Sequence, residues 1–253
     1  MAADVSGLAS KLDEAQTKAK AIPQITGITV DEGYAIQSTA FQLRLARGEK
    51  KTGMKMGFTS RAKMIQMGVD DMIWGRLSSG MLVEDGGSIS MKDYVHPRVE
   101  PEIAFLLGER LEGPVTTAQA MAAIEAVAPA IEIIDSRYRN FKFSWADVVA
   151  DNCSAAGYVL GAWANLDADL SNLGMILEFN GRPVQIGSSA AILGHPVRSL
   201  AAAARLSSEA GEPLEAGWIV MAGGATAAEA LAPDTHVRLT VEDLGSVSFT
   251  VGK

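Results

Sequence analysis

The chain has 253 residues, 48% of them hydrophobic and 21% charged, a balance that can bury a sizeable core and that predicts one domain over residues 1–253. Its 22 Lys and Arg stand against 30 Asp and Glu, and the net charge of −8 argues against nucleic-acid and anionic-membrane partners, since neither a phosphate backbone nor an acidic leaflet attracts such a surface. A single cysteine, Cys153, rules out an intramolecular disulfide framework and the paired Cys/His spacing of a zinc finger.

The opening MAADVSGLASKLDEAQTKAK carries charges throughout and no apolar h-region. The most apolar stretches, 121–134 and 218–232, are broken by Glu, Pro or Gly, so no span is predicted and the cytoplasm is the expected compartment. Leu8, Leu12, Ala15 and Ala19 recur at helical spacing and predict a helix over 6–20. A second helix is predicted from Thr29, which forms a capping-box signature with Glu32, to a stop at Gly48. The two make a helical N-terminal layer over residues 1–50. A strand over 54–59 and a short helix capped by Ser60 come next. MLVEDGGSISM predicts two short strands around Asp85-Gly86-Gly87, and 98–107 a longer one. Thr117 is expected to cap an Ala-rich helix through 127, ended by Pro129 and followed by a strand in AIEIID. A short helix over 143–150 and a strand over 156–161 lead to a hairpin over 174–187. Its turn is Asn180-Gly181, two residues that tolerate positive φ. A helix over 199–210 precedes strands in GWIVMAG, HVRLTV and SVSFTV. The fold class is a β-rich α+β arrangement, not alternating βαβ units.

Chemistry concentrates in a few segments. In HPRVEPEIAF, strand alternation puts Glu100 and Glu102 on one face and Val99, Ile103 and Phe105 on the other. The two carboxylates then stand roughly 6.5–7 Å apart at their Cα atoms, able to converge on one hard divalent ion or, in the plainer reading, to face solvent. Glu132 lies among Ala130, Ile131, Ile133 and Ile134, where a carboxylate is costly. Either Arg137 neutralises it or it belongs to a site. Lys55, between Met54 and Met56, is a lysine whose burial would lower its pKa towards neutrality, unless it snorkels from an edge. The Gly-rich 222–230 segment offers backbone N–H groups and Thr226 to a carboxylate, but has neither GxGxxG nor a Walker lysine. His96, His195 and His236 show no paired spacing, and Cys153 and Ser154 lie in no nucleophile elbow.

KMGFTSRAKM, WGRL with GMLVEDG, HPRVEPEIAFLL, APAIEIIDSR, ADNCSAAG, NGRPVQIGSSAAILGHP and GWIVMAGGATAAEAL occur in one order along the chain. Together they resemble the 2-oxopent-4-enoate hydratase and 4-oxalocrotonate decarboxylase family of the fumarylacetoacetase-like superfamily. VDDMIWGRL and FKFSWADVVADN are similar to its decarboxylase branch. The resemblance implies a mixed, rolled β-sheet with peripheral helices and a Mg²⁺ or Mn²⁺ ion held by Glu100, Glu102 and Glu132. It also implies an active-site lysine at Lys55 and a substrate-contacting serine at Ser154; apart from the resemblance, Thr226 and Arg137 are further substrate-binding candidates. The implied reaction is metal-dependent decarboxylation of 4-oxalocrotonate, a small 2-oxo dicarboxylate, in meta-cleavage degradation of aromatic compounds. A homo-oligomer is implied too, with a possible complex with the pathway hydratase. The alternatives are the hydratase reaction itself and a non-catalytic partner subunit. Hydratases usually carry an acidic residue two positions before the glycine matched by Gly75. Here Ile73 stands there, which removes a group able to move a proton, unless Asp70 or Asp71 substitutes.

Overall fold

A computed structural model describes residues 3–60, 64–65 and 71–253. The chain opens with helices α1 (Val5–Thr17) and α2 (Val30–Ala46). The capping box at Thr29 forms as the sequence predicts: the Thr29 hydroxyl accepts from the Glu32 N–H at 3.2 Å, and the Glu32 carboxylate accepts from the Thr29 N–H at 2.8 Å. Ala9 and Leu12 of α1 pack with Ile36 of α2 against Tyr138 and Ala150. Of the helix expected after Ser60, Met64 donates to the Ser60 carbonyl, and the rest lies outside the described residues.

Among the described residues the strands form two sheets. The larger is mixed and runs in the order β2 (Ile73–Ser78), β1 (Lys51–Gly57), β10 (Ile219–Met221), β5 (Arg98–Leu107), β6 (Ile124–Ile134), β7 (Ala155–Leu160), β3 (Leu82–Val83). The two-residue β11 (Glu229–Ala230) pairs with the start of β5. The smaller sheet runs β4 (Ser88–Ser90), β13 (Gly245–Gly252), β12 (Thr235–Val241), β8 (Gly174–Phe179), β9 (Arg182–Ser188). Helices α3 (Thr117–Ala122), α4 (Trp145–Ala150) and α5 (Pro196–Glu209) lie at the periphery. The expected α+β class and rolled sheet are therefore found.

Side-chain alternation explains the layering. Val99, Ile103 and Phe105 of β5 and Ile131 and Ile133 of β6 join Val237, Leu239 and Phe249 in the core between the sheets. The opposite face of the larger sheet turns inward on itself. Thr52 of β1 and Tyr158 of β7 touch through their hydroxyls at 3.0 Å, although three strands separate them. Only a tightly curled sheet closes that gap.

Three local expectations are corrected. The Ala-rich helix is capped by Thr116 and stops at Ala122, because the chain continues as β6. Pro129 lies inside that strand; its carbonyl accepts from Gly161 N–H just beyond the end of β7, so the missing N–H falls where that ladder stops. The two short strands expected around Asp85-Gly86-Gly87 do form, β3 joining β7 and β4 joining β13 in different sheets. The helix expected at 199–210 starts earlier, at Pro196, with the His195 ring nitrogen accepting from Val197 N–H at its cap. The Asn180-Gly181 hairpin turn forms as predicted, with φ of 51° and 74°.

Candidate active site

The curl of the sheet carries three carboxylates and a lysine to one point. Glu100 of β5 faces Glu132 of β6 directly in the ladder, and Glu102 follows on the same face. One oxygen from each lies within 4.8 Å of the others. Lys55, on β1, reaches across the curl to place its Nζ 3.0 Å from Glu132 Oε1 and 3.3 Å from Oε2. Glu102 and Glu132 are fully buried, so the plainer reading of a solvated strand face does not hold.

Burial and mutual repulsion set the electrostatics. Burial, and then the charges of Glu132 and Glu100, hold the Glu102 carboxyl well above the ordinary carboxylate range, against the pull of Lys55 and the Gly223 N–H. Burial likewise raises Glu132, with Lys55 opposing it. For Lys55 burial favours the neutral amine, but the facing charge of Glu132, with help from Cys153, Glu102 and Glu100, outweighs it. Its shift is upward, which corrects the expected fall towards neutrality. Glu132 is neutralised by Lys55, not by Arg137.

The donor set fits a hard divalent cation. Glu102 and Glu132 are carboxylates buried side by side, an arrangement that is costly unless a cation is shared between them. Glu102 Oε2 accepts from Gly223 N–H at 2.7 Å, while its Oε1 is buried with no hydrogen-bond partner among the described residues. All the available donors are oxygen, the ligand type Mg²⁺ and Mn²⁺ prefer.

The Gly-rich segment closes over this group. Ala222 N–H donates to the Ile103 carbonyl and Ala225 N–H to the Pro101 carbonyl, which ties the segment along β5. Between them Gly223 has φ of +107°, and a Cβ on Gly224 would stand 2.5 Å from Glu100 Oε2. Both positions need glycine, one for its backbone angle and one for space. Thr226 is not brought to the carboxylates; its hydroxyl donates to the Ala227 carbonyl.

A cavity of about 110 Å³ opens beside Lys55 and Glu100. Ser154 and Thr59 add hydroxyls to its polar end, and Ile73, Ile134, Phe141, Phe143 and Val148 form an apolar wall. Ser154 Oγ is buried with no hydrogen-bond partner among the described residues. Cys153 also lines the cavity, but burial pushes its thiol up to about 12 and its Sγ–H donates to the Trp74 carbonyl at 3.0 Å. Asp71 is ion-paired to Arg205 of α5 at 2.8 Å and does not stand in for the acid missing at Ile73, and Asp70 lies outside the described residues. Arg137 sits elsewhere, fully buried against the Asp151 carboxylate, and also donates to the Asp135 carbonyl. The aromatic wall was not anticipated from sequence. Phe141 has φ of +54°, on a short turn that no local pattern marks.

The rolled mixed sheet, with a Glu-x-Glu pair, a third glutamate and a lysine on its inner face, has the features implied by the resemblance to the fumarylacetoacetase-like superfamily. The chain belongs to that family: the model for the fumarylacetoacetate (FAA) hydrolase C-terminal region matches residues 55–252. A protein of Pseudomonas sp named 4-oxalocrotonate decarboxylase is 59% identical over 249 residues, covering 97% of each chain. The solved structure of 4-oxalocrotonate decarboxylase from Pseudomonas putida G7, complexed with magnesium and adipate, superposes with a TM-score of 0.95 at 40% identity, covering 98% of this chain and 97% of that one. A 2-keto-4-pentenoate hydratase of Paraburkholderia xenovorans (strain LB400) is 37% identical over 223 residues, covering 87% of this chain and 83% of that protein.

Proposed function

We propose that the protein is a metal-dependent carboxy-lyase that converts 4-oxalocrotonate (2-oxohex-3-enedioate) to 2-oxopent-4-enoate and CO₂ in meta-cleavage aromatic degradation. The observation that carries this reading is the pairing of a three-carboxylate cluster with an apolar wall at Ile73. Glu100, Glu102 and Glu132 would hold Mg²⁺ or Mn²⁺, which when bound supplies Lewis-acid stabilisation of negative charge on the substrate's 2-oxo oxygen.

The chain's own residues do the rest. Ser154 and Lys55 border the polar end of the cavity, where the hydroxyl can donate to a carboxylate oxygen and the ammonium can hold the 2-oxo acid in register. The far carboxylate then meets Ile73, Phe143 and Val148, side chains that give it neither charge nor hydrogen bond. Desolvation of an anion that leaves as neutral CO₂ favours its departure. The bond from C5 to the departing carboxyl breaks, its electrons pass through the conjugated system to the C2 oxygen, and protonation at C3 completes 2-oxopent-4-enoate. Lys55 Nζ, kept charged by its carboxylate neighbours, holds a proton beside that system.

Hydration of 2-hydroxypenta-2,4-dienoate would use the same 2-oxo-acid end but needs a group to handle water at the other, where the chain has Ile73. A non-catalytic partner subunit has no use for a buried lysine–carboxylate cluster. The test is a product assay of the purified chain on 2-oxohex-3-enedioate, after chelation and with Mg²⁺ restored. Metal-dependent CO₂ release supports the proposal; water addition without CO₂ release, or equal turnover in chelator, overturns it.

The proposal extends to assembly and compartment. Ile176 and Ile186 pair across β8 and β9 on the outer face of the smaller sheet, 39% and 73% exposed, an apolar patch suited to self-association or to the hydratase of the next step. Size-exclusion chromatography with light scattering, with and without that hydratase, tests both. Among the described residues no helix is long and apolar enough to cross a membrane, consistent with a cytoplasmic site of action.

A further inference from the structure

We infer that Asn152 is a positioning residue that aims the Ser154 hydroxyl into the cavity by clamping a left-handed turn onto strand β2; this rests on the reading of Ser154 as a substrate contact. Asn152, Cys153 and Ser154 have φ of 50°, 52° and 60°, three consecutive non-glycine residues in the left-handed region. Single residues visit that region, asparagine most readily, but L-residues do not hold it in a run without outside support.

The support comes from the free edge of the larger sheet. Among the described residues β2 ends that sheet, and no strand lies beyond its outward backbone groups. Asn152 fills the place of one. Its Oδ1 accepts from Arg76 N–H at 2.8 Å and its Nδ2 donates to the Arg76 carbonyl at 2.9 Å, the two bonds a paired strand residue would make. The approach is close enough that a Cβ on Gly75 would stand 2.5 Å from the Asn152 carbonyl oxygen. Cys153 completes the contact through its bond to the Trp74 carbonyl.

The far end of the turn is fixed just as firmly. Ser154 N–H donates to the Asp151 carbonyl at 2.9 Å, and its carbonyl accepts from Asp135 N–H at 2.8 Å. With its backbone held on both sides, the residue keeps one polar group without a partner among the described residues, the buried hydroxyl at the cavity wall. A buried hydroxyl without a protein partner is costly unless a ligand supplies one. β2 thus serves the cavity twice, sending Ile73 to the apolar wall and anchoring Ser154 at the polar end.

The experiment is a double-mutant cycle on the Mg²⁺-loaded enzyme with 2-oxohex-3-enedioate. Asn152→Gly keeps the left-handed backbone and deletes both amide bonds. Its kcat/KM should fall about tenfold, the scale expected when a positioned group drifts by a fraction of an ångström. In the Ser154→Ala background the same substitution should cost nothing further. Asn152→Asp, which retains the acceptor for Arg76 N–H, should lose less in the parent and nothing in that background, and it carries the test if Asn152→Gly does not fold. Losses that add to that of Ser154→Ala, or full activity in both Asn152 variants, overturn the inference while leaving the role of Ser154 intact. A fully active Ser154→Ala overturns that role and the inference with it.

Discussion

Glu100 and Glu132 face each other across the β5–β6 ladder, two carboxylates in the place where a sheet ordinarily sets opposite charges or apolar pairs. With Glu102 beside them, two of the three carboxylates fully buried and Lys55 bonded to Glu132, the cluster concentrates like charge on one inner face of the sheet. Burial and mutual repulsion hold the Glu102 and Glu132 carboxyls above their ordinary range, a cost that a bound cation would relieve.

Mg²⁺ should raise the melting temperature of the parent protein, by the equivalent of about 2.7 kcal/mol at a metal concentration a hundredfold above Kd. Glu102→Gln should abolish that response. In chelator the variant should melt no lower than the parent, because a desolvated carboxylate has been removed. Calorimetry in EDTA and in Mg²⁺ reads both effects, and an undiminished Mg²⁺ response would take Glu102 out of the cluster.

Lys55→Ala leaves Glu132 buried without its ammonium, a change that typically destabilises by about 3–5 kcal/mol. The loss should be smaller at pH 5 than at pH 8. A carboxyl held above its unfolded pKa binds a proton more readily when folded, so its contribution declines as pH rises through the folded value. Mg²⁺ should restore part of the stability but not the rate. We expect kcat to fall roughly 10²–10⁴-fold, as for loss of a proton-transfer group. Denaturation curves and steady-state kinetics with Mg²⁺ in excess separate the two.

Ile73→Asp places a carboxylate in the apolar wall. Decarboxylation should slow by at least about tenfold, equivalent to roughly 1.4 kcal/mol in the barrier. CO₂ release and proton NMR of the products, followed together, would reveal any water addition that replaces it. Unchanged decarboxylation would show that an apolar wall at this position is immaterial.

Cys153 should be inert in the folded protein. With its thiol pushed up to about 12 by burial, about one molecule in ten thousand carries a thiolate at pH 8. Iodoacetamide at that pH should leave activity unchanged and label the residue only after unfolding, by mass spectrometry. Rapid labelling of active enzyme would contradict the burial of this side chain.

How much of this was legible in the sequence depended on the range of the interaction. Alternation within one strand put Glu100 and Glu102 on a common face, and the local chemistry of Thr29 with Glu32 and of Asn180-Gly181 marked a helix start and a hairpin. The register that sets Glu132 opposite Glu100, and the curl that brings Lys55 to it, are non-local. Arg137, five residues from Glu132, was the natural guess for its counter-ion, yet three residues beyond the end of β6 its side chain faces Asp151 instead. Pro129 read as a helix stop because proline usually breaks regular structure, and nothing nearby in sequence shows that its neighbour strand ends there. The family resemblance implied Glu132 as a metal ligand and Lys55 as the active-site lysine, but not that the two would pair. It did not supply the Phe141 and Phe143 wall or the clamp at Asn152.

The segment that bears the aromatic wall is braced from outside the family-matched region. Ile22 N–H donates to the Arg137 carbonyl, and Arg139 N–H returns a bond to the Ile22 carbonyl, two residues before Phe141. Gln24 donates to the Asp147 carboxylate, and the Tyr138 hydroxyl to the Asp147 carbonyl. A polypeptide trimmed to residues 55–252 would retain every carboxylate and the lysine, yet lose the buttress behind the phenylalanines. Where a shared ancestral core stops along the chain need not be where the catalytic apparatus stops in space.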